Sequence, residues 1–471
     1  MEMVSTAQLK RPPQTKGLPL VGSIPTALKE QLDFLDHAQQ IHGDVYKIDL
    51  GPTSIVMLCN PAYAQYVLRD NVKNFSKGGP MWDSVRTLVG NGLVVSAGDF
   101  WMRQRRMMQP QFHRQHLAGM TSLMIDAITA GMQSWDGHAA DRKPVEMLQL
   151  FNHITMKVIV QTMFGKDLAD SDADVIGHEM SHALDFMLQN MVTQIMPNWM
   201  PVPGRKRYQQ SIVTLDAFIN RITSQRRQLA EQPTDMMGML LQMIDDESGE
   251  AMTDKQIRDE IATLFLAGYE TTSLTMTWGV HQLLQHPEVI QRLQLEVDTA
   301  LKGQLPTFET LEKLPYARMV IQEIMRLYPP AFWLPRTAVE ADEIGGYHIE
   351  AGQMIGVSIY NIQRNPSVWD DPQVFDPERF APDNSAKRHA LAFMPFGAGQ
   401  RMCIGRDFAM LEGMLILSML MQRYDLISVE RTTKPMFSTT LRPKGGVWAK
   451  LAKRTFQSQT LGQGPKPANV E

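Results

Sequence analysis

The pattern of hydrophobic and polar positions divides the chain into a short strand-forming start, a long helical stretch and a mixed C-terminal part. Apolar runs at residues 45–50 and 54–58 predict two strands. Helical spacing of apolar residues dominates from about residue 61 to residue 327, and turn-rich sequence with many prolines follows. One more helix and a hairpin-like segment at 436–452 complete the pattern. The chain is therefore predicted to be mainly helical, with strands near both ends.

One predicted helix is unusually long. Thr253 and Gln256 have the spacing of a capping box, and helical pattern then runs to about His286, where Pro287 stops it. At about 1.5 Å per residue such a helix spans on the order of 50 Å, enough to cross the molecule.

The middle of this helix, residues 267–272, reads Ala-Gly-Tyr-Glu-Thr-Thr. In one interpretation the threonines bond back to their own helix carbonyls, and Glu270 is an unexplained buried acid. In the other, the glycine and the hydroxyl residues distort the helix for a functional purpose. Burying an unpaired carboxylate is costly, so Glu270 needs a partner or a role.

Composition narrows the class of protein. With 471 residues, 44% of them hydrophobic, the chain can bury a large core, and no linker-like or repeated segment divides it. A formal net charge of -4 and a pI of about 6.3 give no support for nucleic-acid binding. No stretch approaches the 20 or so apolar residues of a membrane span, so no transmembrane anchor is expected.

The strongest chemical signal lies at residues 396–405, which read Phe-Gly-Ala-Gly-Gln-Arg-Met-Cys-Ile-Gly. Cys403 can ligate a metal as a thiolate, and the start of a following helix lowers the pKa of such a thiol. The glycines allow a tight loop that aims amide N–H groups at the sulfur, and Arg401 is placed to pair with a carboxylate of a cofactor. A buried structural cysteine is the alternative, which six constrained positions in ten residues disfavour.

On these residues the chain resembles the cytochrome P-450 family, whose signature is F-G-x-G-x-R-x-C-x-G. Ala409 and Glu412 match the continuation of that signature. The resemblance implies a mainly α fold with a small β-rich lobe, in which haem b lies between a long distal helix and the helix after the cysteine loop. It also implies that Cys403 is the axial iron ligand. The expected boundaries are a polar segment at 1–18, one haem-thiolate domain at 19–453 and a polar tail at 454–471.

The family pattern A-G-x-x-T falls on Ala267, Gly268 and Thr271. The resemblance implies that small residues leave space above the haem there. Thr271 would hold water by hydrogen bonds and Glu270 would relay protons from solvent, which makes these two residues the expected catalytic pair.

Further haem-binding residues follow from the same resemblance. Residues 101–105 match W-x-x-x-R, and one arginine after Tyr328 is placed like a propionate ligand of the family. The expected cofactor-binding set is Cys403, Arg401, Phe396, Trp101, Arg105 and Arg336.

A structural ion network is also implied. Glu323 and Arg326 match the family's E-x-x-R, and Arg379 belongs to its P-E-R-F. Their expected role is assembly and haem retention, whereas an ordinary surface pair is the alternative reading of the first two. The chain departs from the family at 363–366, where Gln-Arg stands before Asn-Pro in place of a common His-Arg pair, which weakens the case for a propionate contact there.

The resemblance implies a monooxygenase that inserts one atom of dioxygen into an apolar substrate. A haem-thiolate peroxygenase or isomerase and a non-enzymatic gas-binding haem protein remain as alternatives. The candidate substrate pocket consists mostly of large apolar side chains, which suggest a lipid-like, terpenoid or aromatic compound: Met81, Trp82, Leu88, Phe265, Ala267, Phe332, Trp333 and Phe437.

Electrons are expected from a separate partner. The stretch after Cys403 is too short for a flavin domain, and two cysteines cannot hold an iron–sulfur cluster. A ferredoxin or flavodoxin with an NAD(P)H reductase is therefore predicted to dock on the cysteine side, near Arg105, Arg106, Lys387 and Arg388. A cytoplasmic location is expected, because Cys59 reads as part of a buried strand and no disulfide remains. The enzyme is also expected to be a monomer.

Overall fold

The computed structural model describes residues 9–51, 53–165, 170–193 and 202–455. The prediction of a mainly helical molecule with a smaller β-rich lobe is confirmed. The helices are α1 Ile24–Glu30, α2 Leu32–His42, α3 Pro61–Gln65, α4 Pro80–Val89, α5 Gly98–Met108, α6 Arg114–Gln133, α7 Trp135–Asp141, α8 Met147–Phe164, α9 Asp170–Thr193, α10 Arg205–Arg227, α11 Met236–Gln242, α12 Asp254–Leu283, α13 Pro287–Leu301, α14 Pro315–Leu327, α15 Ile359–Ile362, α16 Pro382–Ser385 and α17 Arg406–Arg423.

The strands of the described residues form four small sheets. They are β1 Val45–Asp49, β2 Ser54–Leu58, β3 Phe75–Ser76, β4 Val145–Glu146, β5 Leu334–Ala338, β6 Asp342–Ile344, β7 Tyr347–Ile349, β8 Met354–Val357, β9 Tyr424–Ser428, β10 Lys434–Phe437, β11 Leu441–Lys444 and β12 Trp448–Lys453. The largest has the order β1-β2-β8-β5-β3, with only β2 and β8 parallel. The predicted C-terminal hairpin is β10–β11, whereas β12 leaves it to pair with β9 and β4.

The long helix α12 runs through the hydrophobic core, where it packs against α8, α14 and α17. Its N-terminus carries the predicted capping box, because Thr253 Oγ1 accepts from the Gln256 amide and Gln256 Oε1 accepts from the Thr253 amide. It ends at Leu283, three residues before the predicted end, and Pro287 begins α13 instead. At 30 residues it is about 45 Å long.

In the part of the chain described above, no helix combines the length and apolar character needed to span a bilayer.

Candidate active site

The loop before α17 is shaped by glycine. Gly397 and Gly399 have φ angles of +71° and +69°, the left-handed region that side chains disfavour. A Cβ at Gly399 would also lie 1.9 Å from the carbonyl oxygen of Leu68, so no other residue fits there. The loop closes with a 2.9 Å hydrogen bond from the Cys403 amide to the carbonyl of Phe396, whose side chain packs against the main core. These contacts fix the position of the Cys403 thiol.

Cys403 is an exposed residue, yet desolvation by the surrounding protein raises the pKa of its thiol. Both observations hold together if the sulfur faces an enclosed space. The raised pKa is opposed by a hydrogen bond from the Gly405 amide and by the charges of Arg105, Arg406 and Lys77. The net shift is nevertheless upward, contrary to the lowered pKa expected from the sequence, because desolvation outweighs these groups.

Four cations converge on the same space: Lys77, Arg105, Arg336 and Arg401. Arg401 stacks 3.7 Å above the ring centre of Trp101, and its Nη1 is buried without a hydrogen-bond partner in the described part of the chain. Desolvation, followed by the charges of Arg336 and Arg105, lowers the pKa of Arg401 to about 10. The Arg336 side chain is 4% exposed, and burial lowers its pKa to about 10 as well.

Lys77 is the member of this group that the sequence did not reveal. Its Nζ donates to the carbonyl of Val94 at 2.9 Å and lies 4.5 Å above the ring centre of Trp82. Desolvation holds its pKa well below the usual range, and Arg336 and Arg401 lower it further. Lys77 stands in Phe-Ser-Lys-Gly, which matches no motif, so no local signal could have found it.

These residues fit a haem. Among described residues, none of the four cations forms an ion pair with a carboxylate, so the cluster has the charge to bind an anionic group. Haem b offers two carboxylates for the cations and an iron for the thiolate. At Gly405 an added Cβ would find only the Cys403 sulfur within 4 Å, at 3.9 Å, so the protein itself does not require glycine there. Space for a flat cofactor explains that glycine.

Arg105 also holds the loop. Its Nη1 donates to the carbonyl of Met402 at 2.9 Å and its Nε donates to Gln109. The structure thus brings Arg105, Trp101 and Arg401 together around Cys403, as their motifs predict.

Helix α12 has accessible positions in an otherwise buried stretch. Ala267 is exposed and Thr271 is half-buried, although residues 261–265 and 272–280 are buried. Thr271 Oγ1 donates to the carbonyl of Ala267 at 2.8 Å, which is the back-bonding expected for a structural threonine. Its oxygen can still accept a hydrogen bond, so the bond does not exclude a role with water. An added Cβ at Gly268 would lie 3.1 Å from Ile159, which shows close packing of α12 on α8.

Glu270 is paired. Its Oε1 accepts from Arg442 Nε at 2.7 Å and from Thr440 Oγ1 at 3.1 Å, and its side chain is 7% exposed. Arg442 also donates to Asp185 of α9 at 3.0 Å. Arg442 and Thr440 belong to the β10–β11 hairpin and were not predicted, because nothing in their local sequence points to a residue 170 positions earlier.

The structural network predicted from E-x-x-R comes together in the buried interior. Arg326 Nε lies 2.6 Å from Glu323 Oε2, and both side chains are fully buried, so they are not an ordinary surface pair. Arg379 lies 3.5 Å from the same carboxylate. Gln363 faces the backbone instead of a cofactor, because its Nε2 donates to the carbonyls of Met325 and Arg326.

The candidate substrate residues do not form one group. Phe265 is 1% exposed and stacks on Phe164 at 5.7 Å, about 200° around the helix from the accessible Ala267, so its placement in the pocket was wrong. Leu88 is likewise buried in the main core at 1% exposure, which removes it from an accessible pocket.

The other candidates are closer to solvent or to the cations. Phe332 and Phe437 stack at 5.3 Å in a separate cluster that includes Trp333. Trp82 lies beneath Lys77, and the side chain of Met81 lies outside the described residues.

The predicted docking cations need correction. Arg106 is paired with Asp245 at 2.7 Å and Glu247 at 2.8 Å, and Arg388 turns inward over Trp369. Arg105 is committed to the cysteine loop. Of the four predicted residues, only Lys387 is both exposed and without an ion pair in the described part of the chain.

Comparison with known proteins agrees with this geometry. The family model for Cytochrome P450 matches residues 12–450. A cyclooctat-9-en-7-ol 5-monooxygenase from Streptomyces melanosporofaciens is 33% identical over 417 residues, covering 88% of this chain and 89% of the relative. Pentalenene oxygenase from Streptomyces avermitilis is 30% identical, covering 93% and 96%. The crystal structure of the cytochrome P450DA haem domain superposes with a TM-score of 0.87 at 25% identity, covering 95% and 98%. The chain therefore belongs to the cytochrome P450 family, the oxygen-incorporating monooxygenases.

Proposed function

We propose that this enzyme uses haem b to insert one oxygen atom of dioxygen into an apolar organic substrate, with electrons from a separate redox protein. The observation that carries the proposal is a group of four cations beside an accessible thiol, none of which has a carboxylate partner among the described residues. A thiolate ligand and two propionates complete that arrangement.

The proposed roles follow from the geometry. When bound, haem supplies the reductive activation of dioxygen and the transfer of oxygen to carbon. Cys403 would provide the thiolate that holds the iron, and Lys77, Arg105, Arg336 and Arg401 would bind the propionates. Thr271 positions water in the accessible space beside Ala267, and Glu270 passes protons toward it. Glu323, Arg326 and Arg379 hold the segment that leads to the cysteine loop.

The substrate is proposed to be an apolar compound. Two of the relatives are named for cyclooctat-9-en-7-ol and pentalenene. Among lipid-like, terpenoid and aromatic compounds, these names favour a terpenoid. The stacked rings of Phe332 and Phe437 offer the kind of apolar surface that such a compound needs.

A ferredoxin or flavodoxin, reduced by NAD(P)H through its reductase, is the proposed donor. The two cysteines are too few for an iron–sulfur cluster, which requires a separate carrier if the donor is of that class. A cytosolic location is part of this proposal, since the two cysteines are unpaired and Cys59 is buried. The enzyme is proposed to act as a monomer.

Two rivals differ in the distal helix. A peroxygenase or isomerase has no need of a proton relay, and a gas-binding protein has no need of a redox partner. The adjacent Glu270 and Thr271, one held by a buried ion pair and the other beside the accessible Ala267, favour the monooxygenase.

The test is spectroscopic. The purified protein should bind one haem, and its reduced carbonyl complex should show the red-shifted absorption band of thiolate ligation. Cys403→Ala should lose that band, and Cys403→His should retain haem while losing monooxygenase activity. A thiolate band that survives in Cys403→Ala would show that another residue is the ligand.

A further inference from the structure

Helix α9 carries a short motif that the haem site does not use. Residues 178–182 read His-Glu-Met-Ser-His, the pattern H-E-x-x-H, which places two histidines one turn apart on a helix. Both histidines are exposed. At about 100° per residue, each lies about 160° around the helix from Met180, which is buried in the main core. The two imidazoles therefore share the outer face of α9, where a solute can reach them.

The rings of His178 and His182 have the separation that one metal ion requires. Their centres lie 4.7 Å apart, and their planes meet at 80°. A metal bound at about 2.0–2.1 Å from a histidine nitrogen lies roughly 3.1–3.2 Å from the ring centre, so two imidazoles on one ion have centres about 4.4–5.2 Å apart at ligand angles of about 90–110°. The observed separation falls within this range, so the two rings can bind one ion without a change of the helix backbone.

The charge of α9 favours a cation. The helix contains five acidic residues and no lysine or arginine. Asp185 follows His182 by three positions on the same face, is exposed, and accepts from Arg442 Nη1 at 3.0 Å. A dication held by the histidines would interact favourably with this carboxylate, one helical turn away.

The acid in the middle of the motif indicates binding and not hydrolysis. In zinc hydrolases with this pattern, the glutamate acts as the general base. Glu179 instead accepts two hydrogen bonds from Arg207 of α10, at 2.6 Å and 2.8 Å, and these bonds hold the pKa of Glu179 below its usual range. A carboxylate stabilised in this way is a poor base. Among the described residues, no group of three histidines, cysteines or carboxylates could hold a metal, so water would fill the remaining coordination positions.

We propose that His178 and His182 form a chelating site for a transition-metal dication, which binds Cu²⁺ most tightly and Ni²⁺ or Zn²⁺ less tightly. Neutral imidazole suits these ions, whereas Mg²⁺ and Ca²⁺ prefer oxygen ligands. Because both ligands belong to one helix, a bound ion joins two adjacent turns and stabilises α9 in its helical form. Metal binding at this site does not depend on the proposed catalytic function.

The experiment is calorimetric titration of the full-length holoenzyme, treated with chelator and free of any polyhistidine tag, with CuCl₂, ZnCl₂ and MgCl₂. The parent should bind Cu²⁺ more tightly than Zn²⁺ and should not bind Mg²⁺. His178→Gln and His182→Gln should each weaken Cu²⁺ binding at least about tenfold. The double variant should lose little more, because either substitution alone breaks the chelate. Asp185→Asn, which removes only a nearby charge, should weaken binding about two- to fivefold.

Hydrogen exchange provides a second measurement. Zn²⁺ should slow the exchange of α9 backbone amides in the parent and leave it unchanged in His178→Gln/His182→Gln. Both substitutions replace exposed side chains, so the metal-free double variant should keep the parent's melting temperature.

The matched control is His113→Gln/His116→Gln, which also removes two exposed histidines but at a different spacing, with His113 preceding α6. Its affinity for Cu²⁺ should stay within about twofold of the parent's. Equal Cu²⁺ affinity in the parent and in His178→Gln/His182→Gln would overturn the proposal. A parent that binds neither Cu²⁺ nor Zn²⁺ with a Kd below about 1 mM would also overturn it.

Discussion

At the scale of single residues, the haem site is an arrangement of cations that is unfavourable without its anion. Lys77 shows this most clearly, because desolvation and two arginines hold its pKa well below the usual range. A charge that the folded protein disfavours on its own becomes favourable when a propionate is added. Lys77 should therefore bind the cofactor at the expense of the stability of the haem-free protein.

Lys77→Met tests this with two measurements: the haem-free protein should become more stable, and the loaded protein should hold its haem less tightly. The haem-free protein should melt at a higher temperature, since a desolvated charge is removed. The loaded protein should transfer haem to a scavenging apoprotein about ten- to a hundredfold faster, because a charge-assisted hydrogen bond is lost. Lys73→Met removes an exposed lysine nearby and serves as the control. If haem transfer is unchanged in Lys77→Met, Lys77 is not a propionate ligand.

A second prediction at this scale concerns Thr271. Its hydroxyl donates to Ala267 and keeps its lone pairs for water, so Thr271→Ala should leave substrate binding nearly intact while proton delivery suffers. NAD(P)H consumption should continue with a donor system, and product per electron pair should fall, with the difference appearing as peroxide. Product and peroxide are measured together in one turnover assay. Coupling as efficient as the parent's would favour a peroxide-driven or redox-neutral reaction.

At the scale of secondary-structure elements, α17 and α12 are joined by a carboxyl group. Glu412 in α17 is 2% exposed, and burial raises its pKa to about 8, while a hydrogen bond with Thr272 in α12 lowers it. The helix after the cysteine loop is therefore linked to the helix that carries Thr271 through a group that is neutral below about pH 8.

The free energy of unfolding should depend on pH through the protonation of Glu412. Its folded pKa lies above the ordinary value of 4.5, so its stabilising contribution is complete below pH 4.5 and is lost as pH rises toward 8. Glu412→Gln should therefore become more stable relative to the parent across this window, by at most about 1.4 kcal/mol per pH unit. Urea unfolding of both proteins at several pH values measures the difference. A constant difference would show that Glu412 is ionised throughout.

The sequence predicted elements where the signal is local and failed where the partner is distant. The capping box of α12, the glycine-shaped cysteine loop and the E-x-x-R pair are all set by residues within a few positions of one another. Arg442 reaches Glu270 from a hairpin that only the folded chain brings near. Phe265 was misplaced because helical rotation, which residue type does not reveal, turns it toward Phe164.

At the scale of the whole molecule, surface charge decides how an electron donor approaches. The cations expected to attract it are mostly neutralised or turned inward, and Lys387 is the exposed exception among the four. Exposed charges without internal partners accelerate association more than charges already paired. The surface is therefore expected to steer an acidic partner less strongly than the sequence suggested.

Two variants distinguish a cation that steers the electron donor from a cation that stabilises the fold through an ion pair. Lys387→Ala should lower the second-order rate of reduction by an acidic ferredoxin or flavodoxin roughly two- to fivefold at low ionic strength, and the difference should shrink near 0.15 M salt, where charges are screened beyond about 8 Å. Arg106→Ala should leave that rate almost unchanged, because Asp245 and Glu247 already compensate its charge. It should instead lower the melting temperature, since the Asp245 side chain, 1% exposed, loses its nearest cation.

Stopped-flow reduction at several donor concentrations and thermal unfolding provide the two measurements. A larger loss of rate in Arg106→Ala than in Lys387→Ala would place the donor on the Arg106 side of the cysteine loop, where its docking would have to break an existing ion pair.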